Sequence, residues 1–311
     1  MIRRRLPPPL ELLRTSEARF ADLPDWPYAP RYQEVGDEAL RIHYVDEGPR
    51  DGDVVLLLHG EPTWSYLYRK MIPVLVAHGL RVVAPDLPGF GRSDKPRRVA
   101  DFTYARLVGW MLQWLTALDL REITLVGQDW GALTGLRLLA EEPRRFARVV
   151  IANGGLPTGD HATAPAFHLW RSFVRWSPVL PVGRIVTLGC ARGLDRRARA
   201  AYEAPFPGRR YLAGPRALPG LVPVSPRDPA APDQRRAWDV LKRWGKPFLC
   251  AFGDKDPMTR GADRVFCKLV PGTQGQPHTT IQGAGHFLQE DRGPELAELI
   301  AGFVATTGAP R

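Results

Sequence analysis

The stretch V-G-Q-D-W-G-A-L, residues 126–133, decides the fold of this chain. It continues an apolar run that is typical of a buried strand, and it leads into an apolar run that is typical of a helix. Gly127 and Gly131 allow a tight turn between the two elements. Asp129 stands at the tip of this turn, where the related pattern G-x-S-x-G places a nucleophilic serine. The stretch therefore predicts a strand–turn–helix junction that presents a carboxylate.

Strand-like and helix-like patterns alternate along most of the chain. Several strand patterns are continuous apolar runs, as expected for strands that are buried on both faces of a sheet. Alternation of this kind predicts an α/β fold with a doubly wound, mostly parallel sheet. The predicted strands are residues 41–48, 54–60, 81–86, 123–128, 148–154, 247–253 and 278–283, and the predicted helices are residues 64–76, 103–118, 132–141 and 294–304.

The alternation is interrupted after Gly154 and resumes with the strand pattern at 247–253. The intervening chain is rich in proline, arginine and tryptophan, and it contains helical patterns at 166–176, 182–190 and 195–203 but no strand pattern. We therefore expect a helical cap, residues 155–232, inserted into a core domain that consists of residues 1–154 and 233–311.

The composition argues against several classes of function. Lysine plus arginine number 43 and aspartate plus glutamate 33, a net charge of +10, but the arginines are scattered and no nucleic-acid-binding motif accompanies them. No apolar run approaches the roughly 20 residues that a membrane span requires. The basic start MIRRRLPPP lacks the apolar core of a signal peptide. We therefore expect no export and neither a nucleic-acid partner nor a membrane partner.

The cysteines indicate the compartment. Cys190, Cys250 and Cys267 are odd in number and widely separated, without the spacing of a metal site or a disulfide framework. This usage fits a reducing cytoplasm, and we expect a cytoplasmic monomer without a bound metal.

Residues suited to catalysis directly follow four of the predicted strands. Ligands of open α/β sheets bind beyond the carboxyl ends of the strands, so the positions after each strand are the candidates. The order nucleophile, acid, histidine matches the order in hydrolases that have a G-x-S-x-G turn. The four residues are Glu61 after strand 54–60, Asp129 after strand 123–128, Asp256 after strand 247–253 and His286 after strand 278–283.

Each of these residues has a simpler explanation when taken alone. Asp129 could cap the following helix, Asp256 could shape a turn, and a single histidine such as His286 is commonly structural. Asp254 competes with Asp256 as the acid, but the first position past a strand suits a turn residue. The joint placement of three such residues in catalytic order favours a catalytic site.

A carboxylate nucleophile is suited to attack on an sp3 carbon. Unlike a serine, a carboxylate is already ionised at pH 7 and needs no base to displace a leaving group. The ester formed on Asp129 would be hydrolysed by a water molecule that His286 activates, while Asp256 orients the imidazole. The backbone N–H groups of Glu61 and Trp130 would stabilise the oxyanion of that step. This chemistry requires no cofactor.

The tryptophans indicate the leaving group. An epoxide opens to an alkoxide that needs an acid such as tyrosine, whereas a halide needs only donors in a dry pocket. The indole N–H of Trp130, next to the nucleophile, donates a hydrogen bond and never accepts one. This property favours a halide.

A second halide donor is expected from the cap, where Trp170 and Trp176 are the candidates. Six positions separate them, about 600° of helix rotation, so they cannot lie on one face of a helix. Trp170 belongs to an apolar stripe, whereas Trp176 directly precedes a Ser-Pro pair at which the helix should end. We expect Trp170 to face Asp129.

Six motifs carry a family resemblance: H-G-E-P-T-W-S-Y-L-Y-R-K-M (59–71), D-L-P-G-F-G-R-S-D-K-P (86–96), G-Q-D-W-G (127–131), Y-E-A-P-F-P (202–207), F-G-D-K-D-P (252–257) and G-A-G-H-F-L-Q-E-D (283–291). In these motifs the chain resembles the haloalkane dehalogenases, in particular the subgroup whose acid follows the strand after the cap. The resemblance implies an α/β-hydrolase fold with a helical cap. It also implies Asp129 as nucleophile, His286 as base, Asp256 as acid, and Trp130 with Trp170 as halide donors.

Two alternatives stay open at the level of sequence. An epoxide hydrolase would share the fold, the Asp-His-Asp chemistry and an H-G-x-P loop, with Tyr202 or Tyr211 of the cap as the acid. A non-catalytic relative would bind a small molecule in the same pocket. Whichever applies, we expect a cis peptide bond between Glu61 and Pro62 that aims the Glu61 N–H into the pocket.

Overall fold

An eight-stranded sheet lies at the centre of the fold in the computed structural model, which describes residues 10–308. The strands are β1 (Leu12–Leu13), β2 (Arg31–Val35), β3 (Leu40–Glu47), β4 (Val54–Leu58), β5 (Arg81–Pro85), β6 (Lys95–Pro96), β7 (Ile123–Gly127), β8 (Phe146–Ile151), β9 (Phe248–Gly253) and β10 (Thr279–Ile281). The sheet has the order β10-β9-β8-β7-β4-β5-β3-β2, and β1 pairs with β6 separately. From β10 to β5 all neighbouring strands are parallel, whereas β3 and β2 run antiparallel at one edge. The residues that follow the parallel strands therefore meet along one edge.

The helices are α1 (Ile72–Ala77), α2 (Tyr104–Ala117), α3 (Trp130–Glu141), α4 (Pro165–Trp176), α5 (Val182–Gly189), α6 (Arg196–Glu203), α7 (Ala213–Leu221), α8 (Ala231–Leu241), α9 (Ala262–Leu269) and α10 (Leu288–Thr307). The predicted fold class is confirmed, since all seven predicted strands correspond to strands of the sheet. Within residues 10–308, no helix combines the length and the apolar character needed to cross a bilayer.

Two predicted helices have different bounds in the structure. The predicted helix 64–76 is divided into a 3₁₀ turn, Ser65–Tyr68, and α1. The Asp86 carboxylate accepts a hydrogen bond from the Ser65 N–H at 2.8 Å where the turn begins. Pro73, in the first turn of α1, has no N–H to continue a helix from the preceding turn, so α1 begins separately. The helix predicted from Pro294 is the second part of α10, which has non-helical dihedral angles at Arg292.

Some elements were not predicted. β2 is a sheet edge whose sequence, R-Y-Q-E-V, is largely polar, because its side chains are mostly exposed or half-buried. α7 contains Pro215 and Pro219, which weaken the helical pattern of its sequence, and no helix was predicted there. α8 and α9 lie in segments for which no pattern was assigned.

The helices α4 to α7 lie between β8 and β9 in the sequence, and no strand among the described residues interrupts them. Together they form a helical layer. α5 packs on α6 and α4 packs on α7, whereas α8 packs on α3 of the core. A buried hydrogen bond from the Tyr202 hydroxyl to the Glu290 carboxylate joins this layer to α10. Arg69 forms a buried ion pair with the same carboxylate, which fixes the helical layer above the sheet.

Candidate active site

Asp129 occupies a strained turn between β7 and α3. Its φ of 50° and ψ of −121° are uncommon for a residue with a side chain, and such conformations occur where function requires them. Gly131 allows α3 to approach β4 closely in this turn, because a Cβ atom at this position would lie 1.8 Å from the Leu58 carbonyl oxygen. The glycines of the motif thus allow the helix N-terminus to lie directly behind the Asp129 carboxylate, where the helix dipole favours an anion.

The loop after β4 delivers the Glu61 backbone N–H to this carboxylate. The N–H donates to Asp129 Oδ1 at 2.8 Å, and the peptide bond between Glu61 and Pro62 is cis, as predicted. His59 braces the loop: its Nδ1 lies 2.9 Å from the Gly60 carbonyl oxygen, and its Nε2 accepts from the Leu87 N–H at 2.9 Å. The loop after β5 therefore supports the loop that holds the nucleophile.

His286 lies between two carboxylates. Its Nδ1 is 3.1 Å from Asp256 Oδ1, and its Nε2 is 3.6 Å from Asp129 Oδ2. Burial would lower the pKa of the imidazole, but the negative charges of Asp256 and Asp129 outweigh burial and raise the pKa to about 10. The two carboxylates therefore favour the imidazolium form of His286 in the resting site.

Asp256 is the carboxylate that pairs with His286, and Asp254 serves the turn. Burial would raise the pKa of Asp256, but His286, the Thr259 hydroxyl and the Met258 N–H outweigh burial and lower this pKa to about 2. Asp254 instead accepts a hydrogen bond from the Ala284 N–H at 3.1 Å, as expected of a turn residue. The structure thus separates the two candidates for the acid.

Asn153 and Gln128 support the site, and sequence reasoning did not identify either of them. The Asn153 side chain donates to the Gly285 and His286 carbonyl oxygens at 2.8 and 3.1 Å and accepts from the Gly253 N–H at 2.8 Å. Its own carbonyl accepts from the Asp129 N–H at 3.0 Å. Asn153 therefore connects the loops that carry Asp129, Asp256 and His286, and its position just past the end of β8 was the available signal.

A cavity of about 1470 Å³ lies above the carboxyl ends of the strands, between the core and the helical layer. Asp129, His286, Trp130 and Trp170 line it, and the rest of the lining is mainly apolar. The Trp130 ring packs edge-on against Tyr104 with 5.0 Å between the ring centroids. Trp176 is not among the lining residues and is 74% exposed, so only one of the two cap tryptophans faces the cavity.

The Glu61 side chain is a feature of the site that the sequence did not indicate. Burial, together with the nearby charge of Asp129, raises the pKa of its carboxyl well above the ordinary value. The nearby Trp170 indole N–H acts in the opposite direction on this pKa, and Trp170, Glu61 and Asp129 all line the same cavity. Burial and the charge of Asp129 thus both disfavour the ionised form of the Glu61 carboxyl.

The tyrosines of the cap lie elsewhere. Tyr202 is fully buried and donates to Glu290, and neither Tyr202 nor Tyr211 lines the cavity. Among the described residues, no tyrosine lines the cavity.

Cys250, Cys267 and His278 come together outside the cavity, although the cysteines are far apart in sequence. Their potential ligand atoms lie within 4.8 Å of one another. His278 Nδ1 accepts from the Cys250 N–H at 3.1 Å, and its Nε2 lies 2.8 Å from the Thr273 carbonyl oxygen. Both ring nitrogens are thus engaged with the backbone, and the imidazole has no free lone pair for a metal.

Comparisons with known proteins agree with this architecture. A family model described as the alpha/beta hydrolase fold matches residues 53–293. A haloalkane dehalogenase of Mycolicibacterium paratuberculosis is 55% identical over 294 residues, which are 94% of this chain and 97% of that protein. A haloalkane dehalogenase of Psychrobacter cryohalolentis is 53% identical over 298 residues, 95% of this chain and 98% of that protein.

A solved structure supports the same assignment. The tetrameric haloalkane dehalogenase DpaA from Paraglaciecola agarilytica NO2 is similar with a TM-score of 0.87 and 38% sequence identity. The match covers 93% of this chain and 97% of that chain. This chain therefore belongs to the haloalkane dehalogenases, a family with the α/β-hydrolase fold.

Proposed function

We propose that this protein hydrolyses the carbon–halogen bond of haloalkanes through an ester on Asp129, giving an alcohol, a halide ion and a proton. One observation carries the proposal: a carboxylate on a strained turn faces an apolar cavity that Trp130, Trp170 and Trp238 line and that no tyrosine among the described residues lines. The Trp238 N–H donates to the Leu156 carbonyl oxygen, so Trp130 and Trp170 are the candidate halide donors. The reaction balances without a cofactor, since the enzyme carboxylate and one water molecule supply every atom that the products require.

The two oxygens of Asp129 have different roles in this proposal. Oδ1 accepts from the Glu61 N–H, whereas Oδ2 faces His286. Attack through Oδ2 forms the ester bond to carbon and breaks the carbon–halogen bond, whose electron pair leaves with the halide. Oδ1 becomes the ester carbonyl oxygen, already positioned at the donor that will stabilise its negative charge during hydrolysis. The Trp130 N–H is the second proposed donor.

Formation of the ester prepares His286 to act as a base. The charges of Asp256 and Asp129 both raise the pKa of His286 in the resting site. Alkylation removes the charge of Asp129, so the pKa of His286 falls and a neutral imidazole can accept a proton from water. Asp256 then stabilises the imidazolium that forms as the water attacks the ester carbonyl carbon.

The halide would be stabilised by indole N–H groups from the two layers of the fold. Trp130 belongs to the core helix α3 and Trp170 to the cap helix α4, and both line the cavity near Asp129. Indole groups suit a halide because they donate hydrogen bonds without accepting protons. An epoxide hydrolase would need an acid at this place, and the position of Tyr202 in the Arg69–Glu290 cluster leaves that residue without access.

The test of the proposed function is halide release from chloro-, bromo- and iodoalkanes, measured beside hydrolysis of an epoxide of similar size. We expect release of halide and no hydrolysis of the epoxide. Epoxide hydrolysis without halide release would establish the first alternative. If the protein binds these compounds in the cavity but turns over neither the haloalkanes nor the epoxide, it is a non-catalytic relative.

Replacing Trp170 with phenylalanine should weaken halide binding, because the ring keeps its packing while the N–H donor is lost. The loss of one charge-assisted donor costs about 1.5–3 kcal/mol, which corresponds to a dissociation constant for halide that is roughly 10- to 150-fold larger. Quenching of tryptophan fluorescence by bromide measures that constant. Trp176→Phe is the matched control on the same helix and should bind bromide like the parent protein; equal constants for Trp170→Phe and the parent would refute the assignment.

We further propose that residues 155–232 act as a cap on the core domain formed by 1–154 and 233–311.

We propose a monomer as the catalytic unit, because the nucleophile, base, acid and tryptophans all come from one chain. The free thiols Cys190, Cys250 and Cys267 support a location in the cytoplasm, where thiols stay reduced.

A further inference from the structure

Large apolar side chains are exposed mainly on one part of the cap. Of the eight that are exposed among the described residues, five lie between positions 169 and 188, with Leu169 75% and Leu188 86% exposed. We name this set the cap face; it consists of Leu169, Phe173, Trp176, Val179 and Leu188. Exposed apolar groups that cluster in this way mark a site of contact with another apolar surface.

The cap face includes one whole side of α4. Leu169, Phe173 and Trp176 follow the spacing i, i+4, i+7, which places them on one face of the helix. Val174 is buried on the other side of α4, where the helix packs on the rest of the cap. The outer apolar stripe is therefore not part of the buried core, although Leu169 and Phe173 also line the cavity.

The segment that carries the cap face has acidic residues at none of its positions and arginines at four. Residues 161–194 contain no aspartate and no glutamate, but they contain Arg171, Arg175, Arg184 and Arg192. Within the described part of the chain, no carboxylate lies within ion-pair distance of these guanidinium groups. Two acids from other segments contact this one, and backbone N–H groups engage both: Glu203 accepts from Gly183, and Asp291 accepts from Ala191 and Arg192.

We propose that the cap face docks on the surface of an anionic lipid bilayer. An interfacial helix combines an apolar stripe, which enters the boundary of the acyl chains, with arginines that contact negative headgroups. A second copy of the chain fits less well, because a twofold contact through the same surface would place these arginines opposite one another without acids to pair them. This inference replaces the expectation that the protein has no membrane partner.

The location of the cap face gives the docking a role, which rests on the proposed function. Three residues of the cap face also line the cavity that contains Asp129: Leu169, Phe173 and Leu188. The neighbouring Arg184 lines the cavity as well. Haloalkanes are apolar and concentrate in the hydrocarbon region of a bilayer, so a docked cap would open the cavity towards the phase richest in substrate. The halide and alcohol products are more polar and leave towards water.

The test is sedimentation with vesicles of phosphatidylglycerol and phosphatidylcholine in equal parts, compared with vesicles of phosphatidylcholine alone. We expect binding to the anionic vesicles, weaker binding at high salt, and little binding to the neutral vesicles. Brominated acyl chains should quench fluorescence of the parent protein more than that of Trp176→Phe. Absence of binding to anionic vesicles would refute the proposal.

Variants outside the cavity separate docking from catalysis. Arg175→Glu should weaken binding by more than the roughly fivefold expected for loss of one positive charge, and Trp176→Ser should weaken it as well. The controls Arg144→Glu and Val99→Ser change an exposed arginine and an exposed apolar residue elsewhere, and they should bind like the parent. Equal weakening by the controls would refute docking through the cap face.

Two further measurements give independent outcomes. Halide release from a water-dissolved bromoalkane should be the same for the parent, Arg175→Glu and Trp176→Ser, which shows that they fold. If the parent binds vesicles but releases no halide, the proposed function fails and the docking stands. If the cap variants change only the molecular mass in light scattering, and not vesicle binding, the cap face is a subunit contact and the docking proposal is wrong.

Discussion

Replacing His286 with phenylalanine is expected to preserve cleavage of the carbon–halogen bond and to stop the reaction at the ester. Asp129 needs no base for its attack, whereas hydrolysis of the ester does. The variant should release halide in a burst of one equivalent per active site, with later turnover reduced at least 10²- to 10⁴-fold, the usual contribution of a general base. After exposure to 1,2-dibromoethane, mass spectrometry should find an alkylated peptide that contains Asp129.

A matched control for this variant is His161→Phe, which changes another histidine of the cavity lining that makes no contact with Asp129 in the structure. That variant should turn over many times and accumulate no adduct. A His286→Phe protein that is folded but gives neither a burst nor an adduct would show that Asp129 does not act as the nucleophile or that His286 has another role.

Asp256→Asn should have the second large effect. The Asp256 carboxylate accepts from His286 Nδ1–H and keeps Nε2 directed at the ester, and an amide that donates at this place would favour the wrong tautomer. In serine triads the corresponding change lowers turnover by about 10⁴, and we expect a loss of similar size in ester hydrolysis. Asp254→Asn is the control, because an amide oxygen can still accept from the Ala284 N–H.

The same variant should change the pH dependence of hydrolysis. Only neutral His286 can activate water, so the rate rises as the pH passes through the pKa of His286 in the ester form. The charge of Asp256 raises that pKa, and removing the charge therefore moves the rising limb to lower pH while the plateau falls. A pH profile of single-turnover hydrolysis measures both changes. An unshifted limb would show that Asp256 does not act on His286.

The placement of the candidate catalytic residues could be predicted from the sequence because their positions follow from the sheet. Gly127 and Gly131 mark the turn that presents Asp129, and the parallel strands bring Asp256 and His286 to the same edge. Trp170 could be chosen over Trp176 because helical spacing decides which of them turns inward. In each case a local pattern and a simple rule of geometry were enough.

The supporting residues could not be predicted in the same way. Asn153 acts through hydrogen bonds to backbone groups of three loops, and no sequence pattern of one segment records contacts with the others. The Glu61 side chain gains its raised pKa from burial beside Asp129, which depends on the tertiary fold. The edge strand β2 and the proline-containing α7 have weak local signals, because tertiary packing and not local preference determines them.

The covalent ester is the central claim, and a single turnover in water enriched in oxygen-18 tests it most directly. With enzyme in excess over a bromoalkane, water attacks the carbonyl carbon of the ester, so the new oxygen stays on Asp129 and the alcohol carries away an oxygen that the carboxylate supplied. We predict unlabelled alcohol and a labelled peptide containing Asp129. Labelled alcohol with an unlabelled Asp129 peptide would show direct attack of water on the haloalkane and would contradict the account.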